Sequence, residues 1–234
     1  MWNGHRFAVS LTWDDGFVEH LTEVCPQLDE KGFKGTFYTG MPSFLEHDRA
    51  WKLAHDMGHE IGNHTMLHPG PRNSAFNGTV CLEAMRMPDM EWEIDTASGI
   101  IGRVLGVAPS TFAYPHFCHH IGEGRTAGSY YPLVSTRFVA ARLIVSAEPN
   151  HQDRMNLHAL NSFPLDGLPQ ERAKTMLDYA ESERLWLIFH AHHLSDTPRV
   201  QAADRGVFRW LLTELAGRDC WVAPVRDIAV SSPS

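Results

Sequence analysis

The chain has no uninterrupted apolar run near the ~18 residues that a membrane-crossing helix needs, and its start lacks the basic, apolar and small-residue succession of a secretory leader. As it stands, the sequence is expected to be cytoplasmic, or exported if a leader has been removed. Positive charge is also in deficit. Twenty Lys and Arg stand against 28 Asp and Glu, a formal net charge of −8, which argues against nucleic acid or an anionic membrane as partner. The four cysteines, Cys25, Cys81, Cys118 and Cys220, show neither CxxC spacing nor clustering, so they read as free thiols rather than a disulfide framework. The glycine-rich stretch 122–129 lacks the Gly-Lys-Ser/Thr ending of a phosphate loop. Linkers rich in Pro, Ser or Gly, low-complexity tracts and fixed-period repeats are missing too. With 234 residues, 43% of them hydrophobic, the expectation is one domain over 1–234 around a substantial core.

What is present is an alternation of strand-like and helix-like runs, the pattern of a parallel α/β architecture. Strands are expected at 7–16, 35–39, 59–63, 111–114, 138–142, 157–163 and 185–190. Between them, helices are expected at 17–31, 49–57, 87–106, 169–183 and 200–216, with 221–222 and 225–229 closing the domain. Repetition of this kind suits a barrel, where functional residues at successive strand ends converge on one mouth. Residues 69–78 are dense in turn formers and read as a loop at that mouth. Trp92 lies inside a helical pattern and reads as a packing residue rather than a sugar platform.

Chemistry concentrates at two of these strand ends. Asp14 and Asp15 follow an apolar run directly, and neighbouring strand residues share a cavity only where the chain bends, which Gly16 permits. The plainer reading of such a pair is a turn or a helix cap. His64 and His68 stand four apart, a spacing at which two imidazoles on one helical turn bind a zinc-like metal from the same side. Together the two signals fit a division of labour in which one Asp holds metal and the other abstracts a proton.

Thr12-Trp13-Asp14-Asp15-Gly16, His64-Thr65-Met66-Leu67-His68, Phe112-Ala113-Tyr114-Pro115-His116 and Leu187-Ile188-Phe189-His190 resemble, in order and separation, the motifs of the polysaccharide deacetylases of carbohydrate esterase family four. The resemblance implies a single parallel β/α barrel in a distorted seven-stranded form, and hydrolysis of acetyl groups on a carbohydrate substrate. It assigns Asp14 as general base, His190 as general acid, and Asp15, His64 and His68 as ligands of one divalent metal, zinc by its N/O donor set with cobalt able to replace it. The segment Tyr114-Pro115-His116 would offer the His116 amide to the oxyanion. An N-acetylated amino-sugar polymer or oligosaccharide is the implied substrate. An O-acetyl xylan esterase or small-amide hydrolase would use the same machinery, and a barrel that has kept only carbohydrate binding is the competing class.

The sequence departs from the family pattern in two places. The arginine that normally opens the third motif is missing, and no Asp-x-x-Asp-Trp motif is recognisable. A base carboxylate still needs a positive partner. Arg142 is the expected substitute, because it ends the apolar run 138–141, whereas Arg137 precedes it. His192 and His193 are expected at the loop rim, and His119 and His120 are not expected to build a second metal site. The oligomeric state is left open.

Overall fold

The computed structural model describes residues 1–75, 80–145, 148–197 and 201–231. The expected loop over 76–78 and the expected helix start at Val200 lie outside them. Seven parallel strands pair in chain order: β1 (Phe7–Asp15), β2 (Thr36–Thr39), β3 (Glu60–Asn63), β4 (Thr111–Ala113), β5 (Ala140–Val145), β6 (Leu160–Pro164) and β7 (Trp186–Ala191). The sheet closes because β1 also pairs with β7, from Ala8 opposite Trp186 to Trp13 opposite Ala191. An eighth strand, β8 (Cys220–Val222), lies beside the first half of β1, with Phe7 opposite Cys220. From Thr12 onward, β2 takes over that edge. The expected distorted seven-stranded barrel is thus the observed one.

Alternation along β1 explains its two faces. Phe7, Val9, Leu11 and Trp13 interleave with Ala8, Ser10, Thr12 and Asp14, and a strand sends successive side chains to opposite sides. Trp13 meets Phe208 edge-on at 5.2 Å, so the large residues face the helix layer. The small and polar set faces the lumen, where Asp14 meets Arg142. Both sets are buried, and the apolar core lies between the strands and the helices around them.

Eight α-helices are described: α1 (Cys25–Glu30), α2 (Met41–Glu46), α3 (Asp48–Asp56), α4 (Met87–Leu105), α5 (Tyr131–Arg137), α6 (Gln170–Glu183), α7 (Arg205–Ala216) and α8 (Val225–Ser231). None of the described helices is long and apolar enough to cross a membrane. The expected helix over 17–31 is divided into a π-helical turn, His20–Val24, and α1. Pro26 sits in the first turn of α1, where its missing N–H costs no hydrogen bond. The fifth strand runs three residues past Arg142, with a register shift between Arg142 and Ile144, so Arg142 lies inside the barrel rather than ending a strand. Trp92 does not pack as expected. The buried stripe of α4 is Met90, Ile94, Ala97, Ile101 and Leu105, and Trp92, off that stripe, is 52% exposed.

At the barrel's other end, buried Glu60 ties four elements together. It accepts from Thr36 Oγ1 (2.9 Å), Thr111 Oγ1 (2.6 Å) and the Arg226 amide (3.0 Å), bracing β2, β3, β4 and the start of α8. Glu60→Gln turns one accepting oxygen into a donor facing other donors. It is therefore expected to destabilise the fold by about 1–3 kcal/mol, read as a lower urea midpoint at unchanged slope.

Candidate active site

Where β1 ends, the backbone turns sharply. Asp15 has φ 71 and Gly16 φ 73, both in the left-handed region that non-glycine residues seldom occupy. This bend breaks the alternation, so Asp14 and Asp15 line the same cavity. The bend that the sequence placed at Gly16 begins one residue earlier. Positive φ is concentrated around this mouth: of the eight described non-glycine residues with positive φ, Asp15, Thr65, His68, His116, Phe117 and Gln201 belong to it. Strain gathered in this way marks functional sites, because the surrounding structure must hold it in place.

His64 and His68 do not share a helical turn. The segment after β3 is an irregular bend held by side chains. Asn63 Oδ1 accepts from the Thr65 amide (2.8 Å), Thr65 Oγ1 accepts from the His68 amide (3.1 Å), and Glu93 of α4 accepts from the amides of Met66 and Leu67 (2.9 and 2.7 Å). Asn63 is itself fixed through Nδ2 to the Ile94 carbonyl and Ser98 Oγ. The two rings nevertheless come together, with centroids 4.7 Å apart.

Ligating atoms of Asp15, His64 and His68 all lie within 4.8 Å of one another, the only such group among the described residues. His64 Nδ1 is 2.8 Å from the Ala113 carbonyl, which fixes the ring with Nε2 turned toward Asp15 Oδ1 at 3.8 Å. Burial, and then the neighbouring His68, hold the His64 pKa down at about 4, so the imidazole is neutral. His68 Nε2 lies 3.6 Å from the same carboxylate oxygen. Two imidazoles and a carboxylate, one ring braced by a backbone carbonyl, form a donor set that fits a divalent cation of the zinc type.

Asp14 is 3% exposed and both its oxygens accept from Arg142 Nη2. Burial alone would raise its pKa, but the Arg142 guanidinium, with smaller contributions from the nearby histidines, holds it well below the usual carboxylate range. Arg142 is 1% exposed and lies near the rings of Tyr38 and Phe117, 5.4 and 5.3 Å from its Cζ. Arg137 is engaged elsewhere, with Asp95 and Glu91 of α4.

The histidines of β7 divide differently from the sequence reading. His190 is 4% exposed, has Nδ1 3.0 Å from Ser162 Oγ, and stands behind Phe117 with ring centroids 5.0 Å apart. Burial and the Arg142 charge push its pKa well below the ordinary value. His192, in the bend that follows β7, lines the cavity. Asp166 binds it twice, through the His192 amide (3.1 Å) and Nδ1 (2.5 Å). Burial lowers the His192 pKa, but Asp166 together with the charges of Asp14 and Asp15 outweighs burial and leaves it raised. The turn after β1 steadies this segment from below: His20 Nε2 is 2.6 Å from the His192 carbonyl, and Glu19 holds His193 Nδ1 at 2.7 Å. Asp166, His20 and Glu19 were not singled out from sequence, because their partners lie over 20 residues away and no local spacing connects them.

Tyr114 and His116 complete the cavity of about 260 Å³ together with Phe117 and Gln201. After Pro115, the amides of Phe117 and Cys118 bond to the carbonyls of Tyr114 and Pro115, each at 3.0 Å. The His116 amide is the one in this turn not so engaged. His119 and His120 contact each other, with ring centroids 4.0 Å apart.

The sequence profile described as polysaccharide deacetylase matches residues 3–120. The chain is 25% identical over 249 residues to a gellan lyase from a Bacillus species, and this alignment takes in 94% of the chain but only 9% of that protein's length. In structure it is similar to a putative polysaccharide deacetylase from Mycobacterium smegmatis, with TM-score 0.67 and 17% identity over 98% of this chain and 91% of the other. It is also similar to a family 4 carbohydrate esterase from Streptomyces lividans in complex with acetate, with TM-score 0.57 and 16% identity over 93% and 92%. At these identities the structural likeness concerns the fold, while the profile match covers half of the chain and all of Thr12–Gly16, His64–His68 and Phe112–His116. The chain belongs to the polysaccharide deacetylase family.

Proposed function

We propose that the protein is a metal-dependent deacetylase that hydrolyses the N-acetyl group of an amino sugar in an oligosaccharide or polymer, releasing acetate and leaving a free amine. The observation that carries this reading is the meeting of Asp14, Asp15, His64, His68 and His192 in one cavity. Asp15, His64 and His68 would hold the cation, zinc or cobalt by donor type. When bound, the cation supplies Lewis acidity toward the acyl oxygen and the attacking water.

The remaining roles fall to the chain itself. Asp14, kept ionised by Arg142, accepts a proton from the water as its oxygen attacks the acyl carbon. The His116 amide, not engaged within its turn, is assigned as donor to the developing oxyanion. As the C–N bond breaks, the departing nitrogen takes a proton from an imidazolium. We assign that acid to His192 rather than His190. His192 lines the cavity, its Nδ1 is anchored on Asp166 so that Nε2 is the free nitrogen, and it holds a proton more readily than His190, which burial and Arg142 keep neutral. Asp166 thereby does the orienting work of a carboxylate behind a catalytic imidazole.

Acetate release from chitooligosaccharides, peptidoglycan fragments and acetylxylan tests the reading as a whole, since release from the O-acetylated substrate alone would make it an esterase. Asp15→Asn is expected to lose bound metal, measured by elemental analysis. Activity that survives exhaustive chelation would refute the metal assignment. His192→Ala is expected to lower kcat by something like 10²–10⁴ with metal content retained. If His190→Ala shows that loss and His192→Ala does not, the acid is His190.

The Arg142–Asp14 pair predicts a pH response. With the guanidinium gone, burial dominates and the Asp14 pKa rises, so the base is protonated at higher pH than in the wild type. Arg142→Met is expected to cut turnover and move the acidic limb of the pH–rate profile upward. Stability follows the same sign. A depressed carboxylate pKa contributes stability that is present above the unfolded value, about 3.9 for Asp, and is lost as pH falls below it. The variant lacks that contribution at neutral pH. An unchanged profile would mean that Arg142 does not set the ionisation of the base.

A further inference from the structure

We propose that Phe117 narrows the barrel mouth to a pocket for a single acylated unit, so that the substrate is a short amino-sugar or the terminal unit of a longer chain, not its interior. The inference deepens the deacetylase reading and rests on it. The cavity that contains Asp14, Asp15, His64, His68 and His192 measures about 260 Å³. This falls below the range of about 300–1,000 Å³ that encloses a drug-sized ligand. An interior residue of a polymer must enter with a sugar ring on each side, which requires an open trough.

Phe117 closes one side at some conformational cost. It has φ 54 and follows His116 with φ 52, two successive left-handed residues, one of them a bulky aromatic. Both lie in a region that residues with a side chain seldom occupy. The strain is held by several contacts. The amides of Phe117 and Cys118 bond back to Tyr114 and Pro115, the Tyr130 hydroxyl donates to the Cys118 carbonyl, and His116 Nδ1 lies 3.4 Å from Ser74 Oγ. The Phe117 ring lies 5.0 Å from the His190 ring and 5.3 Å from the Arg142 guanidinium. Gln201, which lines the same cavity, is also left-handed at φ 56 and tied by its carbonyl to the His193 amide at 3.0 Å. A residue that packing alone required could have been any apolar one on relaxed backbone. A strained aromatic fixed at the rim of the reacting centre restricts what enters.

The test compares kcat/KM for acetate release from N-acetylglucosamine, its dimer and its hexamer, with mass-spectrometric mapping of which unit of the hexamer loses its acetyl group, for the metal-loaded wild type and for Phe117→Gly and Phe117→Leu. Wild-type kcat/KM is expected to be highest on the shortest substrates, and only a terminal unit of the hexamer should be deacetylated. Opening the rim should raise the hexamer-to-dimer ratio by about ten-fold or more in Phe117→Gly and by less in Phe117→Leu. Interior deacetylation by the wild type, with kcat/KM rising with chain length, overturns the proposal, and so does an unchanged ratio in folded variants. Acetate release that favours the hexamer would leave the deacetylase reading intact while removing this one. No release from any of the three probes would remove both.

Discussion

The carboxylate of Asp14 and the guanidinium of Arg142, paired out of water in the barrel lumen, are the interaction on which the rest of the site depends. Neither charge could be buried alone, since an unpaired ion in that environment costs several kcal/mol. The pair reaches across from β1 to β5, so the lumen must be narrow enough for one side chain to span it. The neighbours must also tolerate cation and anion together. Tyr38 and Phe117 offer ring faces to the guanidinium, and Ser10 and Thr12, rather than branched apolar residues, precede Asp14 on the inner face of β1. The same positive charge sets His190 apart from His192. One histidine lies close to Arg142 and stays neutral, while the other is one step further out and faces three carboxylates.

Much of this could be read in the sequence because it is local. Asp14, Asp15, His64 and His68 lie at the ends of two strands whose alternation is plain, and a barrel brings such ends to one mouth. Arg142 could be reached by asking which cation keeps a buried carboxylate ionised, although the strand proved longer and the residue deeper than expected. What could not be read depends on tertiary pairing. The apolar run of β7 stops at Phe189, which made His190 look like the delivered residue. The strand ends at Ala191, and the bend after it, held by Asp166, brings His192 to the cavity. Its anchor, Asp166, comes from the loop after β6 and has no spacing signature. The HxxxH spacing was informative about chemistry and misleading about conformation. Asn63, Thr65 and Glu93 supply the hydrogen bonds that a helix would have supplied to itself.

Two parts of the site with different tasks share one support. The strand that ends in Asp14 and Asp15 leads directly into the turn that holds the His192 carbonyl through His20 and the His193 ring through Glu19. The placing of Asp14 and Asp15 relative to His192 is thus set by the consecutive residues from Asp14 to His20 and their hydrogen bonds to the chain after β7. The π-helical turn at His20–Val24 belongs to this support. It widens the first turn of the segment just where His20 meets Trp13, Phe17 and Phe37, a local irregularity of the kind found where a side chain must be aimed rather than packed.

The seam between β1 and β7 gives the molecule an order of assembly. Thr12 lies opposite His190, so the barrel wall closes only when residues far apart in the chain meet, and contacts of such long range slow folding because loop-closure entropy is lost before they form. During synthesis, Asp15, His64 and His68 emerge well before the closing strand. A nascent chain therefore carries Asp15, His64 and His68 while the lumen is still open on one side. Arg142 also precedes the seam, so the charge pair can form in a half-built sheet. Closure comes last, bringing His192 to a lumen that already holds the pair.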